Sequence, residues 1–284
     1  MSYTYVRLRN KFKGWIRDDF PADIIAGIVA DFEVWVQRSS ARLLKDDGKS
    51  QVVQLIVRDG AGKRWDIVIK RVKYGWFFRR LGFLLAASPA IRSFKGALLL
   101  QEKKIPTAAP LAAVEPWRWQ GLGTSYYFAE TVDDARNLRA VLLELEEKRP
   151  GSATLKRRRL LRNLSAFFWR VHGSGVYHRD LKDANILVRD KEGERFEFVL
   201  IDLDGVRRSR TFSWRKRLKN LIQVCRSRRL TYRDKIFFLD DYLRRCGVSK
   251  RKMKALVQRV VRLTTVPRLS AYPARNPVAK KRSS

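Results

Sequence analysis

The sequence predicts an α+β chain whose N-terminal part is β-rich and whose C-terminal part is mainly helical. Two observations carry this. A pair of β-type runs meets at a glycine turn between Gln51 and Val72, and apolar stripes at helical spacing dominate from Leu155 to Leu263. The 284 residues hold 62 Lys+Arg against 28 Asp+Glu, a formal charge of +34 that calls for a polyanionic partner. With 45% hydrophobic and 11% aromatic residues the chain can bury a core, which excludes a wholly disordered basic tail. Two cysteines, Cys225 and Cys246, and two histidines, His172 and His178, support neither a disulfide framework nor a zinc site. The apolar run Leu81 to Ile91, about eleven residues, is short of the roughly 20 that span a bilayer. Arg7, Arg9, Lys11 and Lys13 are not followed by an uninterrupted apolar segment, so no secretory signal is expected either. The expectation is a cytoplasmic protein, free or peripheral on the inner membrane.

Residues 1–40 interleave Tyr3, Tyr5, Phe12 and Trp15 with Arg7, Arg9, Lys11, Lys13 and Arg17. They are expected as a basic, aromatic N-terminal extension, suited to membrane phosphates or nucleic acid or simply packed on the body. The β-rich part is placed at 41–129. Gln51 to Arg58 meets the turn Asp59-Gly60-Ala61-Gly62 and a second strand from Arg64 to Val72, a hairpin. In that second strand Trp65, Ile67 and Ile69 face one way by the two-residue period, which puts Val68 and Lys70 on the other face. Ser88 and Pro89 start a helix with apolar Ile91, Phe94 and Leu98, stopped by Pro106. A Pro/Ala loop is expected from Pro106 to Pro116, then a buried strand from Ser125 to Ala129 that opens into a hinge at Glu130 to Asp134. The helical part is placed at 130–265. A helix runs to about Pro150-Gly151, and an amphipathic helix covers Leu155 to His172, with Arg157, Arg158, Arg159 and Arg162 on its polar side. A second hairpin uses Asn185 to Arg189 and Phe196 to Ile201. Helices follow at about 213–228, 232–246 and 250–264. Residues 266–284 read as a disordered basic tail.

The chemistry is concentrated in Tyr177-His-Arg-Asp-Leu-Lys-Asp-Ala-Asn-Ile-Leu187, between the amphipathic helix and the second hairpin. This matches the protein-kinase catalytic-loop pattern at every specified position. Asp180 has the chemistry to accept a hydroxyl proton, Lys182 to neutralise a transferring phosphoryl group, and Asn185 to offer an oxygen to Mg²⁺. His178 reads as a structural residue of the loop. One hairpin later, Val199-Leu-Ile-Asp-Leu-Asp-Gly205 places a carboxylate at the end of an apolar strand, which makes Asp202 a metal-ligand candidate. Asp204, two residues on, shares its face by strand period and is either a second ligand or a solvent-facing turn residue. Val68-Ile69-Lys70 matches the strand whose lysine pairs with nucleotide phosphates, with Val68 against the adenine.

In these motifs the chain resembles the protein-kinase-like superfamily and, within it, the bacterial lipopolysaccharide core kinases that act on Kdo or heptose. Ile201-Asp-Leu-Asp204, Ile105-Pro-Thr-Ala-Ala-Pro-Leu-Ala112 and Lys235-Ile-Phe-Phe-Leu-Asp-Asp-Tyr-Leu243 carry the narrower resemblance, over about residues 42 to 265. The resemblance implies a bilobal protein-kinase-like fold and ATP- and Mg²⁺-dependent transfer to a sugar hydroxyl of the lipopolysaccharide inner core on the cytosolic membrane face. It implies an anionic glycolipid acceptor, with hinge backbone at Glu130 and Val132 on the adenine. Little chain separates Asp202 from the next helix, which disfavours a protein-substrate groove. Two features depart from the superfamily pattern. No acid sits in the middle of the helix that should pair with Lys70, and the turn Asp46-Asp-Gly-Lys-Ser50 has one glycine where a phosphate-covering loop has three. Gly48-Lys49-Ser50 imitates the end of a Walker A motif, but Leu43 stands where its first glycine belongs. Two alternatives stay open: an inactive kinase fold that binds nucleic acid or another polyanion, and a Ser/Thr protein kinase.

Overall fold

The computed structural model describes residues 1–8, 11–38, 40–74, 87–117, 123–147, 152–191, 195–209 and 213–265. The apolar run at 81–86 and the expected tail at 266–284 lie outside them. The N-terminal half is built on one antiparallel seven-stranded sheet in the order β1-β2-β6-β7-β5-β4-β3. Its strands are β1 (Tyr3–Leu8), β2 (Phe12–Arg17), β3 (Ala41–Asp46), β4 (Ser50–Arg58), β5 (Arg64–Tyr74), β6 (Pro110–Pro116) and β7 (Gly123–Glu130). The hairpin β4–β5 forms as expected, with Trp65, Ile67 and Ile69 buried and Val68 and Lys70 half-buried on the opposite face.

Two expectations are corrected here. Residues 1–40 are not an extension, because β1 and β2 lengthen the sheet and β2 pairs with β6 from Phe12↔Pro116 to Ile16↔Ala112. Helix α1 (Ala22–Ala30) then lays Ile24, Ile25, Ile28 and Val29 over one sheet face, against Leu55, Ile67 and Phe128. Basic side chains masked this reading, since edge strands carry them without loss of pairing. The second correction is the stretch Pro106 to Pro116, whose latter half is β6, between β2 and β7. Leu111, Ala112, Ala113 and Val114 are all fully buried, as a strand covered on both faces requires, while the prolines stand at its two ends. A short helix α2 (Phe32–Val36) follows α1.

Helix α3 (Pro89–Glu102) covers the opposite sheet face, packing Phe94, Ala97 and Leu100 with Ala113, Tyr127 and Ala129. Its start is as expected, with the Ser88 hydroxyl accepting from the Ile91 amide at 3.3 Å. The C-terminal half follows a short strand β8 (Ala135–Asn137) with α4 (Leu138–Glu147), α5 (Ser152–Gly173), β9 (Val176–His178), β10 (Ile186–Lys191), β11 (Arg195–Leu200), β12 (Val206–Arg208), α6 (Trp214–Cys225), α7 (Tyr232–Arg245) and α8 (Lys250–Thr265). Helix α5 is its spine, with Phe167 against Phe198 and Phe168 edge-on to Phe238 of α7. One arginine of its polar side is not solvated: Arg157 donates to Asp234 at 2.8 Å, and both side chains are 12% exposed. Asp234 also closes the capping box with Thr231 that starts α7, so this ion pair ties two helices at a defined register.

Candidate active site

The catalytic loop leaves β9 and is clamped from both sides. His178 is completely buried; its Nε2 lies 3.2 Å from the Ile201 carbonyl, and its Nδ1 accepts the Asp180 amide at 3.2 Å. Burial lowers its pKa, so the neutral ring acts as a fixed strut between the loop and the end of β11. From below, α6 supplies two amide side chains that sequence reasoning missed. Asn220 Nδ2 donates to the His178 carbonyl at 2.7 Å, and Gln223 donates to the Arg179 carbonyl at 2.6 Å while accepting the Leu181 amide at 3.2 Å. Nothing local marks these residues, whose task depends on where a helix 42 residues away in sequence comes to rest.

Within the loop, Lys182 Nζ lies 2.6 Å from Asp180 Oδ2, and Asn185 Nδ2 donates to the Asp180 carbonyl at 2.8 Å and to its carboxylate at 3.2 Å. Spending the Asn185 amide nitrogen on Asp180 leaves its oxygen as the group with acceptor capacity for a cation. Asp183, 3% exposed, is held by a two-pronged pair with Arg139 at 3.0 and 3.1 Å and by the Ser227 hydroxyl at 2.6 Å. Burial alone would raise its carboxyl; Arg139 and Ser227 hold it below the usual range.

Across the cleft, Lys70 Nζ forms a direct ion pair with Asp202. The partner that no helix glutamate supplies is therefore the carboxylate at the end of β11. Burial would raise the Asp202 carboxyl, but the Lys70 charge beside it brings it below the ordinary value. Asp202 also adopts a left-handed backbone, φ 60°, a conformation that costs a non-glycine residue energy and that the surrounding contacts hold. This corrects the strand-period argument for Asp204. The chain turns left-handed at Asp202 and enters a 3-10 turn at Leu203–Gly205, so the two carboxylates do not share a strand face. Asp204 sits in that turn, partly exposed, and reaches Arg92 of α3 at 3.6 Å. Gly96 makes that approach of α3 feasible, since a Cβ there would sit 2.6 Å from the Leu203 carbonyl oxygen. The one acid of α3, Glu102, pairs with Arg208.

At the hinge, the Glu130 amide donates to the Ala109 carbonyl at 2.9 Å and its carboxylate pairs with Arg17 at 2.7 Å, so neither is directed at a base. Thr131 donates to the Asp66 carbonyl at 2.9 Å. Val68 lies opposite Ala129 of β7 and two pairs along from Lys70, on the same face.

The donor set tests the expected Mg²⁺. The Asn185 oxygen and the Asp202 carboxylate are two hard oxygen donors, which suits an ion that takes one or two protein oxygens and completes its shell with phosphates and water. Among the described residues no cluster of three or more His, Cys, Asp or Glu side chains forms a self-sufficient metal cage.

A two-lobed α+β body with a lysine-carboxylate pair facing an aspartate-lysine-asparagine loop defines a kinase of the protein-kinase-like class. The model of the lipopolysaccharide kinase (Kdo/WaaP) family matches residues 76–242, more than half of the chain, and the protein belongs to that family. Among solved structures, the chain is similar to WaaP in complex with acyl carrier protein, at 20% identity and a TM-score of 0.56, covering 81% of this chain and 91% of that one. It also aligns with the BubR1 kinase domain at 16% identity and a TM-score of 0.35, covering 72% and 49%, a likeness too distant to carry weight. No curated protein matches it.

Proposed function

We propose that this kinase transfers the γ-phosphoryl group of ATP, with Mg²⁺, to a hydroxyl of a Kdo or heptose sugar in the lipopolysaccharide inner core, at the cytosolic face of the membrane. The observation that supports it most is the opposition of Asp180, carrying Lys182 and Asn185, to the Lys70–Asp202 pair. In this reading Asp180 orients the acceptor hydroxyl and accepts its proton, while Lys182 meets the charge developing on the transferred group. Lys70 exchanges its carboxylate for the α and β phosphates. Asn185 and Asp202 hold the metal, which would neutralise phosphate charge when bound. Val68 covers the adenine, and the Glu130 carbonyl and Val132 backbone meet its edge. Asp204 is better read as the anchor of α3 through Arg92 than as a third metal ligand.

A sugar acceptor fits better than a protein. Between Asp202 and the start of α6 at Trp214 lie only residues 203–213, of which 206–208 pair with β9, leaving no length for a peptide-docking segment. No described helix is long and apolar enough to cross a membrane, and the charge of +34 suits contact with an anionic glycolipid in a leaflet of anionic lipids. The test is transfer of labelled phosphate from ATP to a lipopolysaccharide extract by the unaltered chain and by Asp180→Ala and Asp202→Ala. Labelling of the glycolipid that both changes abolish is the expected result. Labelling of protein alone would replace this reading with a protein kinase, and steeply salt-dependent RNA or DNA binding without ATP binding would replace it with a polyanion scaffold.

A further inference from the structure

The turn between β3 and β4 stands where a glycine-rich loop would offer its backbone N–H groups to phosphate, but its N–H groups are already spent. Gly48 donates to Asp46 Oδ1 at 2.8 Å, and Lys49 and Ser50 donate to Asp47 Oδ1 at 3.1 and 2.7 Å. The second Asp47 oxygen lies 2.8 Å from Lys45 Nζ. Lys45 is aimed by an irregularity in the sheet. Leu43 pairs with Val53, yet Lys45 pairs with Val52, so one extra residue of β3 is accommodated between them. Without that bulge Lys45 would oppose Gln51 and point to the other face; with it, Lys45, Val52 and Lys70 are cross-strand partners on one face. That is the face of Lys70 that meets Asp202. Asp47 raises the Lys45 pKa against the opposing effect of partial burial, and the fields of Asp202 and Asp180 act in the same direction as Asp47.

From this geometry we infer that Lys45 is a second phosphate-binding lysine of the nucleotide site, supplying by side chain what the glycine-poor turn does not supply by backbone. The inference rests on the kinase reading and deepens it. Asp47 is the stand-in anion: it holds Lys45 beside the cleft until the β and γ phosphates replace it. The exchange is cheap, because both side chains are about half exposed (54% and 46%) and exposed ion pairs contribute little to stability.

Calorimetric titration of the full chain with Mg-ATP and with adenosine, without acceptor, separates the possibilities. Lys45→Met is expected to weaken ATP binding about tenfold, as loss of one charge-assisted phosphate contact does, and to leave adenosine affinity and the melting temperature unchanged. Lys45→Arg should restore most of the loss, and Asp47→Asn should tighten ATP two- to threefold on the same grounds. Lys70→Met is the control. If it weakens ATP binding while Lys45→Met changes it less than twofold, the inference is overturned and the kinase reading stands. If the unaltered chain binds no ATP, both fall.

Discussion

Gly96→Ala pits a helix's own preference against the packing of the active site. Alanine is favoured over glycine by about 0.8–1.0 kcal/mol in a helix interior, and Gly96 lies in the middle of α3. The added Cβ, however, would be 2.6 Å from the Leu203 carbonyl oxygen, 3.1 Å from the Val206 Cβ and 3.2 Å from the Leu203 Cβ. A carbon and a carbonyl oxygen approach to about 3.3 Å at closest, so α3 and the Asp202–Gly205 turn must part by about 0.7 Å. Overpacking of this kind costs about 1–3 kcal/mol, which exceeds the propensity gain. We expect net destabilisation of about 0–2 kcal/mol in urea unfolding, with a larger loss of turnover, because the same displacement pulls Arg92 from Asp204 and disturbs Asp202 against Lys70. Gly173→Ala, at the end of α5 with open space around it, is the control and should be neutral or mildly stabilising. A Gly96→Ala chain that is more stable than the original by the full propensity difference, with unchanged turnover, would refute the argument.

Three further outcomes are expected. Asn220→Ala leaves the buried His178 carbonyl without a partner and should cost about 2–3 kcal/mol in chemical denaturation, with turnover falling more than ATP affinity. Arg92→Ala removes a long, partly exposed pair with Asp204 and a 2.8 Å hydrogen bond to the Ala87 carbonyl, so stability should fall by about 0.5–1.5 kcal/mol while phosphotransfer declines by more; equal effects on both would speak against an anchoring role. Stability should also fall as pH drops below about 6.5, because both histidines of the chain are buried and neutral, burial and Arg217 pushing His172 down to about 3. The unfolded chain then binds protons that the folded one refuses, at most about 1.4 kcal/mol per pH unit for each ring. Unfolding followed from pH 7 to 5 in His172→Gln should show a shallower slope than the unaltered chain, and an identical slope would contradict the assignment.

The catalytic loop was legible because its meaning is local: eleven consecutive residues carry the whole pattern, and Asp180, Lys182 and Asn185 meet within it. Lys70 was legible through the period of a strong hairpin. What escaped sequence reasoning depends on distant parts meeting. The partner of Lys70 is 132 residues away, on a loop rather than on the expected helix. The strand face expected to be shared by Asp202 and Asp204 is absent because a single left-handed residue cancels strand periodicity. Lys45 gains its direction from a bulge that no residue type announces. Strand β6 was hidden by prolines that mark its ends, and β1 and β2 by charges that suit an edge.

Those first two strands also bear on how the chain is made. Tyr3 donates a hydrogen bond to the Pro110 carbonyl, 107 residues later, and stacks edge-on against Phe94 of α3. At about 5–20 residues per second, the opening strands leave the ribosome roughly 5–20 s before β6 exists to receive them. Through that interval β1 and β2 have only each other as sheet partners, and Arg7, Lys11 and Lys13 are charges of the kind that keep an unpaired edge from joining a neighbouring chain. The basic residues of this first hairpin thus guard a waiting edge, a task set by the order of synthesis and independent of any partner.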